Sequence, residues 1–414
     1  MAQTDSETNG KSFWRRTFSS LKHRNFRLLW LGSVTEHAGE RLEMMALSWL
    51  MMRLTERPLY LGLMSVSRSA ATILFSLVGG VVADRVDRRN LLIVALLGNA
   101  LISIVLVFLD YTKLVAPWHL FLAAALTSVL MGFNHPARAT IVPNVVPREE
   151  LTNAIALDTA SVRLAGPIVP LIGGYLIAQF GTVALFAIRA VGALLAIGWL
   201  VMVRVPATPP DARRQSPWQS LWGGLKYAAA TGLVLTLLVL LAMRQLEQQV
   251  FSVFLPFFAT DVLHAGAVGF GYLNSASAIG SLLALLVVAS LGNFKYKGRL
   301  IVAAGILIGL FLSGFGLSQG LILSLILLAA VSFFATTLDN VSQAVLQTII
   351  SDEFRGRVMS LRGVMRGVFG IGAAYLLGVG GEYLGIGTAT VIFGLFFITI
   401  VTLVAFSLPS LRRL

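Results

Sequence analysis

The chain has 414 residues, of which 57% are apolar and only 12% charged, and its mean hydropathy is +0.82. Soluble globular domains carry about a quarter charged residues, so this composition excludes a water-soluble enzyme or nucleic-acid-binding protein despite a net charge of +13. The absence of cysteine removes disulfide frameworks and Cys-based metal or redox sites.

In chain order, residues 1–25 are polar and basic, with Lys11, Trp14, Arg15, Arg16 and Lys22 in a weakly amphipathic stretch and no cleavable signal pattern, and are expected to be cytoplasmic. Apolar runs then predict membrane-length helices at 26–53, 59–83, 90–110, 117–144, 152–179 and 182–203. Residues 204–230 read as a linker. Its first part, 205–217, is Pro-rich and charged, and 218–230 predicts a short interfacial helix with Trp218 and Trp222 at head-group depth. Six more runs follow at 231–258, 268–290, 299–318, 321–349, 358–380 and 385–408, with a tail at 409–414. The division is therefore a six-helix half at 26–203, a linker, and a second half at 231–408.

Residues 79–92, GGVVADRVDRRNLL, lie between the second and third runs. Asp84, Arg85, Asp87, Arg88 and Arg89 cannot sit in hydrocarbon, so this is a tight hydrophilic turn with its cations on the cytoplasmic side. With the N-terminus inside, most of the 32 Lys and Arg residues fall in tails and inward loops, and only Arg53, Arg57 and Lys113 in outward ones. Both termini are then cytoplasmic, and the positive excess suits anionic membrane lipids as partners, not nucleic acid.

An ionisable group within a span costs about 2.5–3.5 kcal/mol on insertion scales, so each is a functional candidate. In the first span Glu36, Glu40 and Glu43 recur at i, i+4, i+7, with His37 and Arg41 on an adjacent stripe; this face is expected to line a cavity between the halves. Clustered carboxylates withdrawn from water are candidates for proton coupling. The alternative is that one of them permanently neutralises Arg41 or Arg244. Arg68, Arg189 and Arg244 are the cations expected to face the cavity, where guanidinium groups would suit a planar anion; ion pairing or snorkelling is the competing role. Arg163 is expected to pair with Asp158. Asp339 and Asn340 would hydrogen-bond substrate or join helices; Arg41 and His37 are further substrate-binding candidates, with a structural role for His37 weighed against a proton relay. Phe251, Phe254, Phe257 and Phe258 read as packing. Glu40-Arg41-Leu42-Glu43 aligns with Arg244-Gln245-Leu246-Glu247 at an offset of about 204 residues, near half the chain, which points to an internal repeat.

Gly80, Asp84, Arg85, Arg88 and Arg89 resemble the loop signature G-x-x-x-D-R-x-G-R-R/K of the major facilitator superfamily, with Asp87 where the second glycine usually stands. Residues 25–30 (NFRLLW), 136–138 (PAR), 255–258 (LPFF) and 355–360 (RGRVMS), with Gly166-Pro167, resemble its enterobactin-exporter and macrolide-efflux branch. The fifth span matches the antiporter motif G-x-x-x-G-P-x-x-G-G at Gly166 and Pro167 but departs from it at Arg163 and Pro170. The resemblance implies an all-α membrane protein of twelve transmembrane helices in two pseudo-symmetric halves. It also implies a monomeric, proton-coupled exporter of an amphipathic drug or siderophore in the bacterial inner membrane, working by alternating access. A lysophospholipid flippase on the same fold is the alternative, and a membrane sensor or enzyme a distant one. In this framework Glu40, after Gly39, falls on the family's acidic position as first proton carrier, and Glu247, matched to Glu43, is second. Asp84 would latch the second span to the start of the eleventh, with Arg138 as a further partner, while Arg85, Arg88 and Arg89 could bind lipid phosphates. No His-rich metal cluster, nucleophile motif or Gly-Lys-Ser/Thr loop is present, so no enzyme, metal or cofactor is expected and the proton gradient supplies the energy.

Overall fold

The structure, a computed structural model, describes residues 18–83, 88–203, 217–292 and 294–407, with side chains described for all of these except 76–83, 88, 135–137, 139–140 and 217–221. Asp84 and Arg85, and the side-chain surroundings at Gly80 and Arg88, therefore lie outside the described residues. Among the described residues there are thirteen α-helices and no strand. They are α1 (Arg24–Thr55), α2 (Pro58–Ala83), α3 (Arg88–Tyr111), α4 (Pro117–Ile141), α5 (Leu151–Phe180), α6 (Thr182–Met202), α7 (Pro217–Ala230), α8 (Gly232–Phe257), α9 (Gly266–Leu291), α10 (Lys297–Leu317), α11 (Leu321–Ile349), α12 (Asp352–Leu384) and α13 (Ile386–Ser407).

All but α7 reach 21 residues or more. At about 1.5 Å per residue that exceeds the ~30 Å of a bilayer's hydrocarbon. Nine of them are also apolar enough to cross, α3, α5, α6 and α8 to α13. α1 is not among these because Glu36, Glu40, Arg41 and Glu43 crowd its middle. Nor are α2 and α4, parts of which carry side chains outside the description. Turns are short where the backbone permits. Glu56 closes α1 at φ 52 and Pro58 opens α2, so the chain reverses within two residues.

The packing pattern repeats. In the first half α1 lies against α5 and α6, α2 against α4, and α3 against α4 and α6. In the second half α8 lies against α12, α9 against α11, and α10 against α11 and α13. The halves meet chiefly through two crossings, α2 with α12 and α5 with α9. Both crossings are glycine contacts. A Cβ on Gly62 would sit 2.6 Å from the Ala374 carbonyl oxygen and 2.9 Å from Gly378 Cα. A Cβ on Gly271 would sit 2.5 Å from the Pro170 carbonyl oxygen and 3.1 Å from Gly174 Cα. Pro170 and Ala374, like Gly174 and Gly378, are separated by the offset of the sequence repeat, so the two seals are copies of one another.

These seals lie near the face where α1 ends and α2 begins, here the far face; the opposite one, where α6 ends and α7 begins, is the linker face. Across the far face Arg57 Nε donates to Glu382 Oε1 at 2.6 Å. A core containing Met51, Leu61, Phe186, Phe254, Phe258 and Leu377 is continuous between the halves. A separate core of Phe26, Leu29, Leu92, Leu96, Leu157 and Leu200 belongs to the first half alone. α7 rests on the first turns of α12, where Gly224 approaches the Arg357 carbonyl oxygen (2.5 Å from an added Cβ) and Tyr227 stacks on Phe354.

Because backbone stands where a new side chain would go, Gly271→Val and Gly378→Val should each lower melting stability in detergent by about 1–3 kcal/mol. Each should also raise maleimide labelling of a Ser65→Cys reporter, which is the sole thiol in this cysteine-free chain. Wild-type melting and labelling would contradict the seal.

Candidate transport site between the halves

A cavity of about 900 Å³ lies between the halves on the linker-face side of the glycine seals. Its walls come mainly from α1, α2, α5, α8, α9 and α12. Five arginines line it, Arg41, Arg68, Arg163, Arg244 and Arg366, against a single carboxylate, Glu247. The rest of the lining is mixed, from Ser65, Gln248 and Asn274 to Met45, Phe251 and Phe270. The space is therefore cationic with both hydrogen-bonding and apolar surfaces. Phe251, read from sequence as packing, belongs to this wall, whereas Phe254, Phe257 and Phe258 are buried in the core as expected.

Small residues let the arginines in. Arg41 runs past Gly166 of α5, where an added Cβ would stand 3.7 Å from its Nη2 and 3.2 Å from Ala278 Cβ. Pro167 lies within the same helix, α5. On the other wall Gln245 Nε2 donates to the Arg366 carbonyl oxygen at 3.3 Å. Glu247 is buried in its helix environment and its Oε2 has no hydrogen-bond partner; Arg244 Nε likewise has none. A carboxylate oxygen and a guanidinium nitrogen without hydrogen-bond partners at a cavity wall are free to take a proton and a ligand.

The acidic face of α1 divides. Arg189 of α6 is fully buried and grips two of its carboxylates. Nη1 and Nη2 donate to Glu36 Oε2 and Oε1, each at 2.9 Å, and Nε donates to Glu43 Oε2 at 3.0 Å. Thr127 donates to Glu43 Oε1 at 2.7 Å, and Asn134 to Glu36 Oε1 at 3.4 Å. Gly39 makes the crossing possible, since a Cβ there would lie 2.8 Å from Arg189 Cδ. Glu36, Glu43 and Arg189 were expected to face the cavity; none lines it. The reason is geometric: at about 100° per residue, positions seven apart differ by only about 20°, while the one between is turned some 40–60° away. Glu36 and Glu43 thus point together into the first half, and Glu40 points aside. Glu40 lies 3.7 Å from His37 Nδ1 and borders a small crevice that Glu43 and Arg68 also line.

Other expected site residues brace helices. Asp339 accepts from Arg362 Nη2 at 3.1 Å, tying α11 to α12, and Asn340 donates to the Thr336 carbonyl oxygen of its own helix at 2.8 Å; neither lines the cavity. Arg89 donates to the carbonyl oxygens of Leu200 and Val201, capping the end of α6. Arg138 is buried in the first half with Nε and Nη1 unpartnered among the described residues, within the fields of Glu36 and Asp158. Asp158 itself accepts from Ser33 at 2.6 Å, and Arg163, its expected partner, turns to the cavity instead. Arg366 lies within the predicted run 358–380 but was not among the site candidates read from the sequence. Its signal in the sequence is that Arg163 lies within one position of it at the repeat offset.

The sequence profile of a family described as transmembrane secretion effectors matches residues 15–413. The chain belongs to this family, within the major facilitator superfamily. An enterobactin exporter of Escherichia coli O1:K1 is 29% identical over 412 residues, covering 97% of this chain and 96% of that protein. The enterobactin exporter of Shigella boydii serotype 18 aligns with the same identity and coverage. Among solved structures, a nucleoside transporter covers 92% of this chain and 99% of its own at a TM-score of 0.72 and 17% identity. A bacterial homologue of the human lysosomal transporter Spinster, inward-facing and unoccupied, covers 94% of this chain and 98% of its own at 0.70 and 15%. These structures share the fold. The chain is thus a multi-pass transporter with a cavity at the junction of its halves.

Replacing Arg189 by Gln leaves two buried carboxylates without their cation. A loss of about 3–5 kcal/mol in unfolding free energy is expected, read by urea unfolding in detergent, with Glu36→Gln costing less. Unchanged stability in Arg189→Gln would contradict the clamp.

Proposed function

We propose that the protein is a proton-coupled exporter that takes an anionic, amphipathic small molecule from the cytoplasm by alternating access. The observation that carries this reading is the cavity lined by five arginines and one carboxylate. A cationic drug would meet net repulsion there, whereas a carboxylate, catecholate or phosphate would be bound by guanidinium forks, with Phe251, Phe270 and Met45 taking its apolar part. The enterobactin exporters among its relatives make a catecholate siderophore the leading candidate.

In this reading α1, α2 and α4 cross the membrane with the other nine, giving twelve spans, and the linker face is cytoplasmic in a bacterial inner membrane. The positive-inside distribution of Lys and Arg supports that orientation. The cavity then opens inward while the glycine seals hold the outside shut. The two halves, copies of one repeat, rock about the site to reverse this arrangement. Asp84 of the cytoplasmic turn latches the inside in the opposite state, and Arg85 and Arg88 meet lipid phosphates. Glu40, beside Arg68, and Glu247, in the cavity wall, carry the protons that exchange for substrate. The protein acts as a monomer without a cofactor. A lysophospholipid is the second reading, favoured by the same arginines because its phosphate is also a planar-fork ligand.

Enterobactin uptake into inverted vesicles under an imposed pH gradient tests the exporter reading. Glu40→Gln and Glu247→Gln should each cut gradient-driven uptake by about tenfold or more. If both retain it, the proton assignment fails; if the wild type moves lysophospholipid and not enterobactin, the second reading replaces the first. Asp84→Asn should lower transport in proteoliposomes while leaving substrate binding in place, and intact transport would remove the latch.

A further inference from the structure

We infer that the cavity contains two anion subsites, one on each half, and that its substrate carries at least two separated anionic groups. The first subsite is Arg41 of α1 with Arg163 of α5, and the second is Arg244 of α8 with Arg366 of α12. The inference rests on this cavity being the transport site.

Arg41 lies against Gly166, and Arg163 stands one turn before that glycine on the same face of α5, so both guanidinium groups reach the cavity from one wall. Their charges act on each other. On the opposite wall Arg244 and Arg366 repel one another in the same way. The two pairs sit on corresponding helices of the repeat, each arginine displaced by one position from its counterpart. α1 and α5 correspond to α8 and α12, Gly166 to Gly370 at the repeat offset, and Arg41 to Gln245, whose amide approaches Gly370. Arg163 and Arg366 match within one position.

These pairs differ from the arginines that are answered by carboxylates. Arg189 is answered by Glu36 and Glu43, and Arg362 by Asp339. Among the described residues none of Arg41, Arg163, Arg244 and Arg366 forms an ion pair within 4.0 Å, although Glu40 and Glu247 offset part of the charge from nearby. Two like-charged walls facing each other resist approach, and water in the cavity must screen them. When the linker face closes, that water is displaced and the repulsion grows. A ligand with one anionic group neutralises one wall. A ligand with two, spaced to reach both, neutralises both and lets the halves come together. Charge number and spacing, more than the shape of the apolar part, would then decide which molecules are carried.

The test is isothermal titration of the full chain in nanodiscs of zwitterionic lipid. The probes are rigid aromatic dicarboxylates of increasing length (terephthalate, naphthalene dicarboxylate, biphenyl dicarboxylate) and their monoacids. One diacid should bind about tenfold or more tighter than its monoacid. Arg163→Gln and Arg366→Gln, each checked for wild-type melting, should bring that diacid down to the level of the monoacid, whose own affinity falls less than about threefold because one pair remains intact. If monoacids and diacids bind alike at every length, the two-subsite proposal is overturned while the anion-exporter reading stands. If neither class binds, both fall. The wild-type comparison decides this even where a variant fails to fold.

Discussion

An arginine taken out of water needs a carboxylate, a carbonyl or a water-filled space, and the rest of this structure follows from how each one is answered. Arg189 is answered by two carboxylates one heptad apart on α1, with Gly39 between them to let the side chain across. That clamp joins α1 to α6, while Thr127 and Asn134 extend it to α4. It consumes the acids that would otherwise have neutralised the cavity. What remains around the central space is a surplus of guanidinium groups, and it is on that surplus that the proposed selectivity for anions rests.

The second constraint is the repeat. The two halves meet chiefly at two glycine crossings related by the repeat offset, and in the proposed alternating access these would serve as the pivots. Close backbone approach supplies dispersion contact without long side chains that would have to repack during motion. The cavity sits beside these crossings rather than across them, so opening one face need not dismantle the arginine walls. α7 adds a tether by lying on the start of α12, one of the helices that carries both a seal and a cavity arginine.

Much of this was legible from one sequence. Apolar runs placed the helices to within a few residues except at α12, which begins at Asp352 rather than at 358. Its first turns, DEFRGR, are helical but polar, and a reading based on apolar runs stops where polar turns leave the hydrocarbon. The offset linking Glu40–Glu43 to Arg244–Glu247 correctly anticipated two related halves. Which acid meets which arginine was not legible. Arg189 is about 150 residues from Glu36 and Glu43 along the chain, and nothing local in α1 distinguishes an acid that turns to α6 from one that turns to the cavity. Asp339 was misplaced for the same reason, its partner Arg362 lying on the next helix. Arg163 was assigned to Asp158 by sequence proximity, but Ser33 takes that carboxylate.

The central claim is that the cationic cavity between the halves is where an anionic substrate binds. It is tested most directly by a crystal or electron cryomicroscopy structure of the full chain with an iodinated aromatic dicarboxylate, whose heavy atoms locate it without ambiguity. The account predicts density between the Arg41–Arg163 and Arg244–Arg366 walls, with a carboxylate within hydrogen-bonding distance of each. Density confined to the lipid-facing surface or to the far face, with the cavity holding only water, would contradict it.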